Sequence, residues 1–127
     1  MALLTKEQIL EKQDIRTETI AVPEWGGDVR VRGLTARERS RIAQDATRKS
    51  NGKDYTDWLR AQTDTFIKGV VEPEFDVNDA NALAAKSSGA LQRVVAAISR
   101  LSGIDEDEIE EMRKNSETSP VGSSSSS

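Results

Sequence analysis

The feature that most restricts the fold is the spacing of Leu91, Val94, Val95, Ile98 and Leu101. Steps of three and four put all five on one face of an α-helix. Such a face is stable only against another apolar surface, so the chain must bring a second element over it. Gly103 follows where a left-handed cap is wanted, and Ile104 can make the apolar contact that accompanies one. A second stretch, from about Asp54 to Val71, spaces Tyr55, Trp58, Leu59, Phe66 and Val70 helically, with Gln62 interrupting the stripe. Gly69 weakens its last turn. Pro73 ends it by pushing Glu72 out of the helical region.

Around these two helices the remaining elements are shorter. Thr5–Lys6–Glu7–Gln8 fits a capping box that opens a short helix over Thr5–Lys12, with Ile9 and Leu10 as its apolar residues. A helix of that length does not stand alone in water and has to dock on something. Thr17–Val22 and Val29–Arg32 read as two strands, with Pro23–Glu24–Trp25–Gly26–Gly27–Asp28 as the turn between them. A period of two places Ile20 with Val22 and Val29 with Val31, while Arg30 and Arg32 point the other way. Thr35–Ala36–Arg37–Glu38 is a second capping box, and the helix it starts is expected to run to about Lys49. Its stripe of Ile42, Ala43 and Ala46 is thin, and Arg37, Arg41 and Arg48 are expected on its opposite face. Arg39 falls on the apolar side. Ser50–Asn51–Gly52–Lys53 is a turn. Asp76 or Asn78 caps a short helix with Ala80, Leu83 and Ala84, which Ser87–Ser88–Gly89 breaks. Asp105–Glu106–Asp107–Glu108 begins a last acidic helix carrying Ile109 and Met112.

The expected class is α+β, mainly α, with an N-terminal β-hairpin followed by a small helical bundle. Of the 127 residues, 1–16 form an N-terminal arm with a short helix and 17–114 a hairpin-plus-helical domain. Residues 115–127 form a disordered Ser-rich tail. With 35% hydrophobic residues and 31% charged, the chain builds one modest core, helped by a partner or by self-association. Phe75 is a further expected anchor.

Composition also excludes chemistry. The chain has no cysteine and no histidine. That removes disulfides, thiolate nucleophiles and histidine-based catalytic triads, as well as the commonest general base and the commonest metal ligand. The acidic groups Glu72, Glu74, Asp76, Asp79 and Asp105 to Glu111 lack the loop spacing of a calcium site and read as solvated helix caps. No pocket is legible around a carboxylate pair. No enzyme, cofactor or metal is therefore expected. The opening Met1–Lys6 is too short and too soon charged for a signal peptide, and no apolar run spans a membrane. Net charge is -4, with 12 basic and 10 acidic side chains in residues 1–60 and 6 basic and 12 acidic in 61–127. The arginines at 30, 32, 37, 39, 41 and 48 form the one basic concentration, without the interleaved aromatics of a nucleic-acid surface. They read instead as a solvated or partner-facing patch, from which Arg37, Arg41 and Arg48 are candidate partner contacts. Trp25 has two open readings: a lid folded back over the core, or an exposed partner anchor.

The order of features is similar to one known family. Val22–Pro23–Glu24–Trp25–Gly26–Gly27–Asp28–Val29–Arg30–Val31–Arg32–Gly33–Leu34–Thr35, behind a polar lead, resembles the opening of bacteriophage tail assembly chaperones. Val70–Val71–Glu72–Pro73–Glu74–Phe75 resembles the segment closing that family's long helix. Ile98–Ser99–Arg100–Leu101–Ser102–Gly103–Ile104 resembles its C-terminal helix. The resemblance spans about Leu4 to Lys114. It implies a protein of the host cell cytoplasm that holds the tape measure protein soluble during viral tail assembly, while tail tube protein polymerises around it. It also implies protein–protein interaction rather than catalysis, with homo-oligomerisation open. A structural tail protein retained in the virion and a small arginine-patch nucleic-acid-binding regulator are the alternatives. The apolar stripes of the two best helices either take the client or form the internal core, and their spacing is compatible with both.

Overall fold

The computed structural model describes residues 2–104. The element order is α1 (Lys6–Glu11), β1 (Thr17–Val22), β2 (Gly27–Arg32), α2 (Ala36–Ala46), β3 (Thr47–Ser50), β4 (Lys53–Thr56), α3 (Trp58–Gly69), β5 (Val70–Glu72), α4 (Ala80–Ala84) and α5 (Ser88–Leu101). Among the described residues the fold is thus α+β, with helices laid over small antiparallel sheets. The expected acidic helix after Ile104 and the Ser-rich tail lie outside the described residues.

The expected hairpin forms. β1 and β2 pair antiparallel from Thr17↔Arg32 to Val22↔Gly27. Pro23–Trp25 makes one 3-10 turn between them, and Gly26 closes it at φ 75, where glycine carries no Cβ penalty. The hairpin does not stand alone. Val70–Glu72, expected to finish a helix, instead forms β5 and pairs with β2 through Arg30↔Glu72 and Val31↔Val70. Val71 is the extra residue in that register, a bulge that turns the short strand's side chains relative to its partner. The sheet order β1-β2-β5 presents Val22, Val29 and Val31 to the interior, all buried.

A second hairpin replaces the end of one expected helix and the start of another. α2 stops at Ala46 rather than near Lys49, and Thr47 is already extended. β3 pairs with β4 from Thr47↔Thr56 to Ser50↔Lys53. The loop is Asn51–Gly52, with φ 54 and 78. Positive φ at both central residues is what a type I′ hairpin turn requires, and Asn-Gly is its preferred sequence. Asp57 N–H donates to Ala46 carbonyl at 2.7 Å and ties the open end. α3 therefore begins at Trp58, capped by Asp57, whose carboxylate accepts from Arg60 N–H.

The core lies where α3 and α5 cross and meet the sheet. α5 buries Leu91, Val94, Val95 and Ile98, four of the five residues of its expected stripe, while Leu101 is half-buried. α3 buries Ala61, Thr65, Phe66 and Gly69. Its expected stripe is corrected at three places. Tyr55 lies on β4, Leu59 is exposed, and Gln62 is buried instead of interrupting. Starting the helix at Trp58 rotates the buried face away from the one counted from Asp54. Gly69 permits the closest approach: a Cβ there would sit 2.4 Å from Ile98 Cδ1. Gly33 does the same at the other end, where a Cβ would sit 2.6 Å from Leu101 carbonyl oxygen. Leu34 N–H donates to Ser102 Oγ at 2.8 Å, stitching the β2–α2 link to the end of α5. That end is a Schellman cap: Ile104 N–H donates to Ser99 carbonyl and Gly103 N–H to Arg100 carbonyl, with Gly103 at φ 87. α5 begins earlier than expected. Ser87 caps it, so Ser88 and Gly89 are its first turn rather than a break.

Candidate functional site

Two features stand outside the core. The first is the arm. From Ala2 to Arg16 every residue is exposed, and α1 buries none. Its local geometry is nevertheless well formed. Thr5 Oγ1 accepts from Gln8 N–H at 3.1 Å, and Gln8 Oε1 accepts from Thr5 N–H at 2.9 Å. The arm holds Leu3, Leu4, Ile9, Leu10 and Ile15, five of the eight exposed large hydrophobics among the described residues. Its root is fixed at Arg16, whose carbonyl accepts from Gly33 N–H at 3.0 Å.

The second is an open groove of about 770 Å³ between α2, α3, β5 and the segment after it. Ile42, Ile67, Val70, Val71, Phe75 and Val77 supply apolar lining. Three ion pairs stand around it: Arg32–Glu38 at 2.7 Å, Arg41–Asp45 at 3.3 Å and Arg60–Asp64 at 2.8 Å. Arg32 is bidentate on Glu38, and Glu38 also accepts from Thr35 N–H to close the second capping box. The hydrogen bond from Arg32 holds the Glu38 carboxyl well below its ordinary range, at about 2, against the opposing effect of its partial burial. The same pair raises the Arg32 guanidinium further above its ordinary value. Lys68, Glu74 and Asp76 complete the charged rim.

The four candidate partner residues do not form one surface. Trp25 sits at the β1–β2 turn, with its ring edge-to-face on Phe66 at 5.9 Å and 36% of the residue exposed. It is thus a lid with one open side. Phe66 stacks onward to Phe75 at 5.1 Å. Arg37 is exposed in the first turn of α2. Arg41 alone of the four lines the groove. Arg48 is not on the α2 face expected for it. It lies on β3, pairs with Asp57 at 3.5 Å and donates to the Asp45 carbonyl, because the Asn51–Gly52 turn takes 47–50 into a hairpin.

The basic concentration is largely neutralised. Arg30 pairs with Glu72 across β2 and β5 at 3.7 Å, and Arg32, Arg41 and Arg48 are held by carboxylates as above. A phosphate backbone would have to displace those partners, which removes most of the electrostatic gain. Arg39 lies with Ile42, Ala43, Trp58 and Ile104 around a second recess of about 250 Å³. Gln62 also lines it, and its buried Nε2 has no hydrogen-bond partner. Among the described residues no group of carboxylates is arranged to hold a metal ion, and no helix is long and apolar enough to cross a membrane. The acidic residues at 76 and 79 cap backbone N–H groups, as acidic first turns do.

No family model, curated protein or solved structure matches this chain. Sequence reasoning missed the groove, because one wall is β5, a strand read as helix. It named the arm helix without giving it a role.

Proposed function

We propose that this chain is a binding protein whose N-terminal arm covers apolar helical faces of a client. More particularly, we propose a tail assembly chaperone holding the tape measure protein in soluble form in the host cytoplasm during tail tube assembly. In this reading the α+β domain, with its N-terminal hairpin and helical layer, is a scaffold and makes no covalent chemistry.

One observation carries the reading. The two best apolar stripes, on α3 and α5, are consumed by each other and by the sheet, while the arm keeps five large apolar side chains in water. A six-residue helix with no buried residue is far below the length that is stable alone. It gains order by laying its apolar face on another surface, the way amphipathic segments and grooves recognise one another. A long helical client with exposed apolar faces supplies such surfaces and aggregates without cover. The sequence resemblance from Val22 to Thr35 supports the particular client, and the carboxylate-paired arginines weigh against nucleic acid.

The test is co-expression with the tape measure protein encoded nearby. The expected outcome is a soluble complex that co-purifies with this chain and is lost when residues 2–12 are deleted. A client that precipitates equally with and without the chain overturns the reading. Presence of the chain in purified virions would favour a structural tail protein instead.

A further inference from the structure

We propose that the groove between α2 and α3 is the docking site for the N-terminal arm of a second copy of this chain. The proposal does not depend on which client the arm takes.

The arm and the groove are complementary in shape class and in charge. On α1, Lys6, Ile9 and Leu10 stand at i, i+3 and i+4 and share one face, while Glu7 and Glu11 run along one flank. The groove offers an apolar floor that includes Ile67, Val71 and Val77, and Val77 is 70% exposed in the single chain. Its arginines are already held by Glu38, Asp45 and Asp64. Among the described residues that leaves Lys68 on α3 and Glu74 on the opposite side without an ion pair. A helix lying in the groove with Ile9 and Leu10 down brings Glu7 and Glu11 to Lys68 and Lys6 to Glu74. Each apolar group that is exposed in one copy then has a partner in the other, and no charge is left against an apolar wall.

The chain's own groove is not where the arm lies. The arm departs from β1, one edge of the sheet, while the groove opens beside β5, the other edge. Residues Lys12–Arg16 span at most about 17 Å when extended, enough to carry α1 to a neighbour. Each copy has one arm and one groove, so two copies can exchange arms reciprocally and close, as a symmetric pair requires.

The experiment uses two variants that leave the core intact: deletion of residues 2–12, which contribute no buried side chain, and Val77→Asp, at an exposed groove position. Sedimentation equilibrium of the full chain should show self-association that each variant alone loses. Mixing the two should restore a 1:1 complex, because one supplies a groove and the other an arm. A peptide of residues 2–16 should bind the arm-deleted chain, and about tenfold or more weaker when that chain also carries Val77→Asp, since a charge is then set against a buried apolar face. A full-length chain that stays monomeric, with its arm lying in its own groove, overturns the proposal. So does an arm-deleted chain that associates as before, or a peptide indifferent to Val77→Asp.

Discussion

Replacing Gly69 with alanine puts a methyl group where α3 and α5 already touch. The new Cβ would stand 2.4 Å from Ile98 Cδ1, 2.6 Å from Cγ2 and 2.7 Å from Cγ1. All three are far inside van der Waals contact, and Ile98 is fully buried, so it has no open side to retreat to. Overpacking of this kind costs about 1–3 kcal/mol. The helix propensity of alanine returns at most about 1 kcal/mol, and less at the last residue of a helix. The net expectation is a loss of about 1–2 kcal/mol, or about 4–8 °C in Tm for each kcal/mol in a domain of this size. Ile98→Ala alone should cost about 2–5 kcal/mol through the cavity it leaves. The double variant should cost less than the sum by about 1 kcal/mol or more, because the new methyl enters that cavity. Urea unfolding followed by far-UV circular dichroism measures all four corners of the cycle. A Gly69→Ala chain as stable as the parent, or a strictly additive double variant, would refute the close packing of these helices.

Three further outcomes are expected. The folded pKa of Glu38 is lowered from 4.5 to about 2 by Arg32, so its stabilising contribution is present above 4.5 and is lost as pH falls toward 2. In acid titrations the stability gap between the parent and Glu38→Gln, which keeps the capping box, should close across that window, and a gap that is constant with pH would contradict the pairing. Gln62→Met removes a buried amide whose Nε2 has no partner and should stabilise by about 1 kcal/mol in chemical denaturation. Gly33→Ala meets backbone rather than a side chain at Leu101, so it should destabilise by about 2 kcal/mol or more, and Leu101→Ala should not rescue it.

Features with local causes were legible in the sequence. The two capping boxes at Thr5 and Thr35, the β1–β2 hairpin, the α5 stripe and the Gly103–Ile104 cap each depend on residues within one or two turns of each other. The misreadings share another cause. Val70–Glu72 continues the helical spacing of α3, and what converts it to a strand is pairing with β2, about forty residues away. Thr47–Ser50 is polar enough to extend a solvated helix, and the signal against that was Asn51–Gly52, whose preferred turn joins two strands. Gln62 was read by type, yet burial was set by where α3 starts. As for the candidate site, amphipathic spacing says that a face is covered, not by what. Only the packed core reveals that α3 and α5 are satisfied within the chain and that the arm is not.

The most direct test of the arm's role is amide hydrogen exchange over residues 2–16, with and without an amphipathic helical segment of the tape measure protein. It is best done on the Val77→Asp chain, so that exchange between copies does not protect the arm. The expected result is fast exchange across α1 in the free chain and marked slowing in the complex, with α3 and α5 unchanged. A client that binds while residues 2–16 still exchange at the free rate would contradict the assignment of the arm as the client-holding element.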